Sequence, residues 1–448
     1  MASLRSLFVA SAVGLSLVAA PVAAPTSSGI SGVVAAHAAD ETRTTDADVT
    51  PRRRAERYTP KAGVKMNNPL SSKNNWNINR HINKTIRSVR RGQTISIFSW
   101  NFDSGQYRQN LIAAHKRGVA VRVIMSANMA RQQNRATGDF WQLKRALKKG
   151  NKKRPKSRRS WTKLCNGSCR GSRGIPHTKL FLFSKAGKAR NVAIVTSANM
   201  TDAAALNQWG EAYTIRGDQR LYKYFVKIFR QSSRDKKVRR SWQRFRSGKH
   251  IVTVLPAKAA RQSNRDPWLQ ALAPVKCKGA SNGNRGRTVI RVGQTAILDA
   301  RGLKLARRIK RLHNQGCNIQ VLTAELGHQV QQVLRSRSGR GPVPLRQLVL
   351  DYDGDGAFDK YIHTKVMSIR GHYGKNRSAR VAFNGTANWT RLAMISDEIF
   401  MQVNSGNTAR KYERFVTRAF KNMPKGAPII PRRTTDSGLD PFRYVEIH

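Results

Sequence analysis

Two stretches decide how this chain folds: Ile175-Pro176-His177-Thr178-Lys179-Leu180-Phe181-Leu182-Phe183 and Tyr361-Ile362-His363-Thr364-Lys365-Val366-Met367-Ser368-Ile369. Each is a strand-length apolar run with His-Thr-Lys near its start. They are the only two His-x-Lys matches among the 448 residues. Side chains at i and i+2 of a strand share one face. His177 and Lys179 therefore point together, as do His363 and Lys365, with Thr178 and Thr364 turned away. One such pair means little in a chain with 84 Lys and Arg. Two at matching places in a repeat mean much more.

The repeat extends on both sides of these runs. Upstream, Gly92-Gln93-Thr94 leads into the apolar run Ile95 to Trp100, a helical stretch to His115-Lys116-Arg117-Gly118, and a strand from Val119 to Met125. The later counterpart is Gly293-Gln294-Thr295, a helical stretch to His313-Asn314-Gln315-Gly316, and a strand from Cys317 to Leu322. Downstream of each His-Thr-Lys come a second strand and a short Asn motif. These motifs are Ser197-Ala198-Asn199-Met200-Thr201 and Thr386-Ala387-Asn388-Trp389-Thr390. An acid opens the next strand each time, Glu211 and then Glu398, and each half closes on an amphipathic helix bearing Phe225-Val226 or Phe415-Val416. The same features recurring in the same order argue for a duplicated unit. Strands alternating with helices argue for α/β architecture, with mixed sheets flanked by helices. Related halves tend to pack about a pseudo-twofold axis, which brings matching positions face to face. The expected organisation is a signal peptide over 1–38, a flexible basic segment over 39–62, a first half over 63–248 and a second over 249–448.

Composition narrows the setting. Lys and Arg number 84 against 24 Asp and Glu, a net charge of +60. An excess of that size calls for an anionic partner: nucleic acid, an acidic membrane or a wall polymer. The apolar stretch Leu7 to Ala20, followed by Ala36-His37-Ala38, reads as a cleaved export signal; a membrane anchor is the alternative. Export permits disulfides. Cys165, Cys169, Cys277 and Cys317 allow three pairings, of which Cys165–Cys169 with Cys277–Cys317 is favoured because each bond then stays within one half. Two densely basic segments with interleaved aromatics, 144–163 and 230–250, read as insertions and candidate polyanion surfaces.

If the halves face each other, one site holds His177, Lys179, Asn199, Glu211, His363, Lys365, Asn388 and Glu398. That set suits a phosphodiester. Lys and Asn donors hold the non-bridging oxygens and stabilise the charge that builds on a five-coordinate phosphorus. One neutral His attacks phosphorus. The other, protonated, supplies the leaving oxygen with its proton and then activates water. Each Glu holds a His in the right tautomer. No metal is required for this chemistry.

These motifs resemble the phospholipase D superfamily, whose signature is H-x-K-x4-D followed by a Gly/Ser-x-Asn turn and a Glu. The resemblance spans about residues 63–430. It implies two phospholipase D-like α/β/α halves, a covalent phosphohistidine, and His177 as the nucleophile. The chain departs from the signature seven residues after each His, where Ser184 and Arg370 replace the usual Asp. Tyrosyl-DNA phosphodiesterases of the same superfamily also lack that Asp, so the departure bears on substrate rather than on chemistry.

One further cluster stands apart. Asp351-Tyr352-Asp353-Gly354-Asp355-Gly356, with Asp359, has the alternating-oxygen spacing of the first half of an EF-hand loop. Ile362 stands where the closing Glu belongs. Asp351, Asp353, Asp355 and Asp359 are thus candidate ligands for a structural calcium that braces the run carrying His363. The expected protein is a secreted, monomeric phosphodiester hydrolase that needs no catalytic cofactor and no obligate protein partner. Phospholipid is the favoured substrate and nucleic acid the alternative. A third reading is a non-catalytic cationic polyanion binder.

Overall fold

The structure is a computed structural model and describes residues 54–152, 154–257 and 263–424. The expected signal peptide, the leading segment up to residue 53 and the last residues of the second half, 425–448, lie outside the described residues. The described residues all fall within one compact unit.

The chain forms a mixed α/β structure with two large sheets. The first runs, edge to edge, Gly63–Met66, Glu211–Ile215, Ala189–Thr196, Leu180–Ala186, Thr94–Phe98, Ala120–Ser126 and Trp161–Cys165. The second runs Gln243–Ser247, His250–Val254, Ile399–Val403, Asn376–Gly385, Lys365–Tyr373, Val289–Ile297, Asn318–Leu326 and Leu345–Gln347. Three consecutive strands at one end of each sheet are parallel, and the remaining pairings are antiparallel.

Alternation explains why the central strands are apolar on both faces. In the first sheet, Ile95, Ile97, Val121, Val123, Phe181 and Phe183 face an outer core with the helices Asn77–Arg87, Gly105–Lys116 and Asp139–Lys149. Their neighbours Ile124, Leu180, Leu182 and Val195 face a second core, which also receives Val252, Val366, Ile399 and Met401 of the second sheet. The helices Gln219–Ser232 and Gly406–Lys421 bury Phe225 and Tyr412 in that shared core. Ile290, Val292, Met367 and Phe383 face a third core with the helix Asp299–Asn314. The two sheets are thus joined by a continuous apolar layer.

Several sequence expectations shift. The strands that follow the two His-Thr-Lys motifs begin at Leu180 and Lys365, so both His residues lie in extended chain just before a strand. Gly92-Gln93-Thr94 and Gly293-Gln294-Thr295 are not counterparts. Phe98 pairs with Leu180, and Gly293 pairs with Val366, so by cross-strand register Gly293 matches Phe98. The basic segments are not insertions. Trp161 belongs to an edge strand of the first sheet and stacks on Phe229, while Phe245 belongs to the second sheet and stacks on Tyr224. The strand Gln243–Ser247 pairs with His250–Val254, so a boundary at 248/249 falls inside a hairpin. The end of the leading segment is held: Glu56 pairs with Arg87 at 2.6 Å, and the Tyr58 hydroxyl lies 2.8 Å from His81 Nδ1. Both disulfides follow the favoured pairing, Cys165–Cys169 and Cys277–Cys317.

Candidate active site

The elements bring the two His-Thr-Lys motifs into register with the opposite half. Ile175 O accepts from Asp397 N at 2.9 Å, and Ile175 N donates to Ser396 Oγ at 3.0 Å. In the same way His363 N donates to Trp209 O at 3.0 Å, beside a short parallel pairing of Gln208–Trp209 with Lys360–Ile362. Glycine permits the first approach. Gly174 has φ +86°, and a Cβ there would meet Ile395 O at 2.3 Å.

The candidate side chains are all buried, each 2% exposed or less. His177 Nδ1 and Glu398 Oε1 are 2.8 Å apart. Burial pushes the Glu398 carboxyl up to about 7, opposed by Lys179 first and then by a hydrogen bond from Thr386, Lys365 and Arg301. Lysines from both motifs thus act on one carboxylate. When Glu398 is ionised it only accepts, and Nδ1 of His177 then carries the ring proton while Nε2 carries the lone pair. Lys179 Nζ donates to His177 O at 3.0 Å and lies over the Trp100 ring. Trp100 in turn meets the His177 ring edge-on at 5.9 Å between centroids. Lys365 Nζ donates to His363 O at 3.2 Å, and Tyr361 meets the His363 ring edge-on.

The two glutamates are not alike, contrary to the expectation that each holds its His. Glu398 reaches across to His177 of the other half. Glu211 Oε2 accepts from Tyr412 Oη at 3.2 Å. Burial pushes Glu211 up to about 8, against hydrogen bonds from Tyr412 and Asn384 and the charge of Lys365. Backbone register gives the reason. Ala212 pairs with Thr196, whereas Phe400 pairs with Gly385. Ser197 N donates to Glu211 O, whereas Thr386 N donates to Ile399 O. With Ser197 matched to Thr386, Glu211 stands where Ile399 stands, one residue out of step with Glu398. A one-residue step in a strand turns a side chain to the other face.

Charge and hydrogen bonds therefore tie His177, Lys179, Lys365, Glu398 and Glu211 together. Asn388 is placed by a neighbour that sequence reasoning missed. Arg301, paired with Asp266 at 2.7 Å, donates to Asn388 O at 2.6 Å and Thr390 O at 2.9 Å. Asn199 sits between the Glu211-bonded Ser197 and Met200, whose N donates to Asn101 O at 3.3 Å.

A second missed group is a clasp on Asp397, next to Glu398. Cys169 N donates to Asp397 Oδ2 at 2.5 Å, and Thr178 Oγ1 donates to Asp397 O at 3.0 Å. Burial pushes Asp397 up to about 6, opposed by Arg170 and a hydrogen bond from Ser168. Arg170 is itself fixed by Leu255 O and Ser241 O. The Cys165–Cys169 loop thus grips the segment that presents Glu398 to His177. Nothing in the sequence signals this clasp beyond the tight Cys spacing.

The acidic loop differs in one position from the calcium expectation. Asp351, Asp353 and Asp359 place carboxylate oxygens within 4.8 Å of one another. Asp355 is not in that group; its Oδ1 accepts from Ala357 N at 2.8 Å. Asp351 also accepts from Gly354 and Gly356, so its oxygens already cap the turn.

Residues 82–233 match the family described as "Cardiolipin synthase, PLD-like domain". No curated protein matches the chain significantly. Among solved structures, polyphosphate kinase from Porphyromonas gingivalis superposes with a TM-score of 0.52 at 13% identity, over 86% of this chain and 55% of that one. The chain therefore spans about half the length of that kinase. Phosphatidylserine synthase from Haemophilus influenzae gives 0.49 at 12% identity, over 79% and 85%. Nuc from Salmonella typhimurium, a phospholipase D family member, gives 0.29 at 17% identity, over 40% and 100%. The domain match lies across the first His-Thr-Lys motif and the Glu211 strand, so residues 82–233 match a phospholipase D-like domain, and the kinase superposition supports the fold over most of the chain.

Proposed function

We propose that this chain hydrolyses phosphodiesters through a covalent phosphohistidine, with both halves contributing to one site. The observation that carries the proposal is the 2.8 Å contact between His177 Nδ1 and Glu398 Oε1, with both lysines acting on that carboxylate. It leaves Nε2 of His177 as the nucleophile. Nε2 bonds to phosphorus as the bond from phosphorus to the leaving oxygen breaks. Protonated His363 supplies that oxygen's proton. Neutral His363 then takes a proton from water, which attacks phosphorus, breaks the P–N bond and restores His177. Lys179, Lys365, Asn199 and Asn388 bind the non-bridging oxygens. Glu398 orients His177 and stabilises it while it carries the phosphoryl group.

Two substrates share that chemistry. The phospholipid reading draws on the description of the matched domain. The nucleic-acid reading draws on the basic groove described below. Secretion, a monomeric state and duplication of an ancestral unit belong to the same proposal. The matching strand order of the two sheets supports the duplication. The test is hydrolysis of phosphatidylcholine vesicles and single-stranded DNA side by side in EDTA. Members of the superfamily generally need no metal, so cleavage is expected to persist in the chelator. Failure to cleave either substrate would contradict the proposal.

A further inference from the structure

The helix Gly406–Lys421 carries Arg410, Lys411, Arg414, Arg418 and Lys421, all exposed. Its one acid, Glu413, is taken by Arg370 at 2.9 Å and approached by Arg380 at 3.9 Å. Among the described residues, Arg414, Arg418 and Lys421 have no acidic partner. Positions 410, 414, 418 and 421 form one stripe about 16 Å long. Like charges spaced four apart on a helix repel, so an anion laid along the stripe relieves a cost that the free protein carries.

Two grooves flank this stripe. One, about 500 Å³, lies toward Arg370 and Arg380. The other, about 620 Å³, lies toward the Asn67–Asn77 segment and has Met66, Trp209 and Phe415 in its lining. Arg414, Arg418 and Asn422 line both. The result is a cationic rim over a partly apolar recess. A bilayer presents a broad flat face and does not enter a recess. A bare polyphosphate offers nothing to apolar groups. A single nucleic-acid strand offers both a phosphate row for the rim and flat bases for the recess.

The second groove borders the candidate site through Trp209, and the helix itself reaches the site through Tyr412. Trp209 O accepts from His363 N, and Tyr412 of the same helix donates to Glu211. We propose that the helix Gly406–Lys421 is a docking rail for a single nucleic-acid strand, whose phosphodiesters it brings to the site. This inference rests on the phosphodiesterase reading for its purpose, but its test reads binding alone.

Fluorescein-labelled single-stranded DNA of about 12 nucleotides is titrated with the full chain in EDTA, from about 50 to 300 mM KCl. The variant R410Q/R414Q/R418Q is compared with R220Q/K223Q/K227Q, which removes the same charge from exposed positions of the helix Gln219–Ser232. The rail variant should bind at least about tenfold more weakly at 100 mM and flatten the slope of log K against log salt by about 2, at roughly 0.7 per lost phosphate contact. The control should keep its slope and its hydrolytic rate. If the triple variant does not fold, Arg414→Gln and Arg418→Gln should each flatten the slope by about 0.7. Equal weakening in both triple variants would overturn the rail in favour of general charge. So would unchanged DNA binding with lost affinity for phosphatidylglycerol vesicles, which would point to a lipid surface. A protein that cleaves neither substrate yet shows the slope difference would sink the phosphodiesterase reading and leave the rail standing.

Discussion

At His177, one hydrogen bond across the halves fixes the ring tautomer, so replacing Glu398 should cost far more than replacing Glu211. Glu398→Gln should lower kcat by roughly 10²–10⁴-fold, the range for losing an orienting carboxylate or positioned acid–base help. Glu211→Gln should lower it by less than about tenfold. Steady-state kinetics on one phosphodiester checks both, and equal losses would contradict the asymmetry. Glu211 also makes a prediction about stability. Its carboxyl is pushed up from an ordinary 4.5 to about 8. A raised carboxyl contributes stability fully below pH 4.5 and loses it as pH rises through about 8. The variant Glu211→Gln escapes that loss. Its melting temperature relative to wild type should therefore rise by at least about 2 °C between pH 5 and 8.5. The types of the candidate side chains were legible in sequence because His-Thr-Lys and the Asn motifs are local patterns. The pairing of His177 with Glu398 was not, because it joins residues 221 apart. The one-residue step between the two glutamates appears only once strand register is known.

Among the elements, the disulfides separate stability from activity. The Cys277–Cys317 bond closes a loop of 40 residues, while Cys165–Cys169 closes one of 4. Loop-closure entropy puts their contributions at about 4 and about 2 kcal/mol. Replacing the first pair by Ser should therefore lower stability more in urea unfolding. Replacing the second should lower activity more, because that loop grips Asp397 next to Glu398. Asp397→Asn should reproduce the activity loss with both disulfides intact, by roughly tenfold in kcat, with KM unchanged. The opposite ranking would remove the clasp from the account. Strand and helix order was legible from apolar runs punctuated by glycine. Strand starts were not, since His177 and His363 lie on extended chain that pairs across halves rather than within either large sheet. Gly-Gln-Thr misled because the same tripeptide serves as a turn at 92–94 and as mid-strand at 293–295. The basic segments misled because their aromatics pack inward on Phe229 and Tyr224.

For the whole molecule, the shared core between the sheets places the two motifs in one compact body. A net charge of +60 sets its response to salt. Polyanion affinity should fall steeply between about 50 and 200 mM salt, while hydrolysis of a small neutral-leaving-group diester at saturation should change little. The charge was legible from composition; its concentration beside the site along one helix was not. The central claim is a covalent phosphohistidine on His177, resolved by His363. Rapid acid-free quenching of the His363→Ala variant with a ³²P-labelled p-nitrophenyl phosphodiester, whose leaving group needs no proton, followed by peptide mapping, tests it most directly. The account predicts an acid-labile phosphoryl group on His177 that persists because the proton shuttle is missing. Label on His363 in a His177→Ala variant, or unlabelled protein that turns over at the wild-type rate, would contradict it.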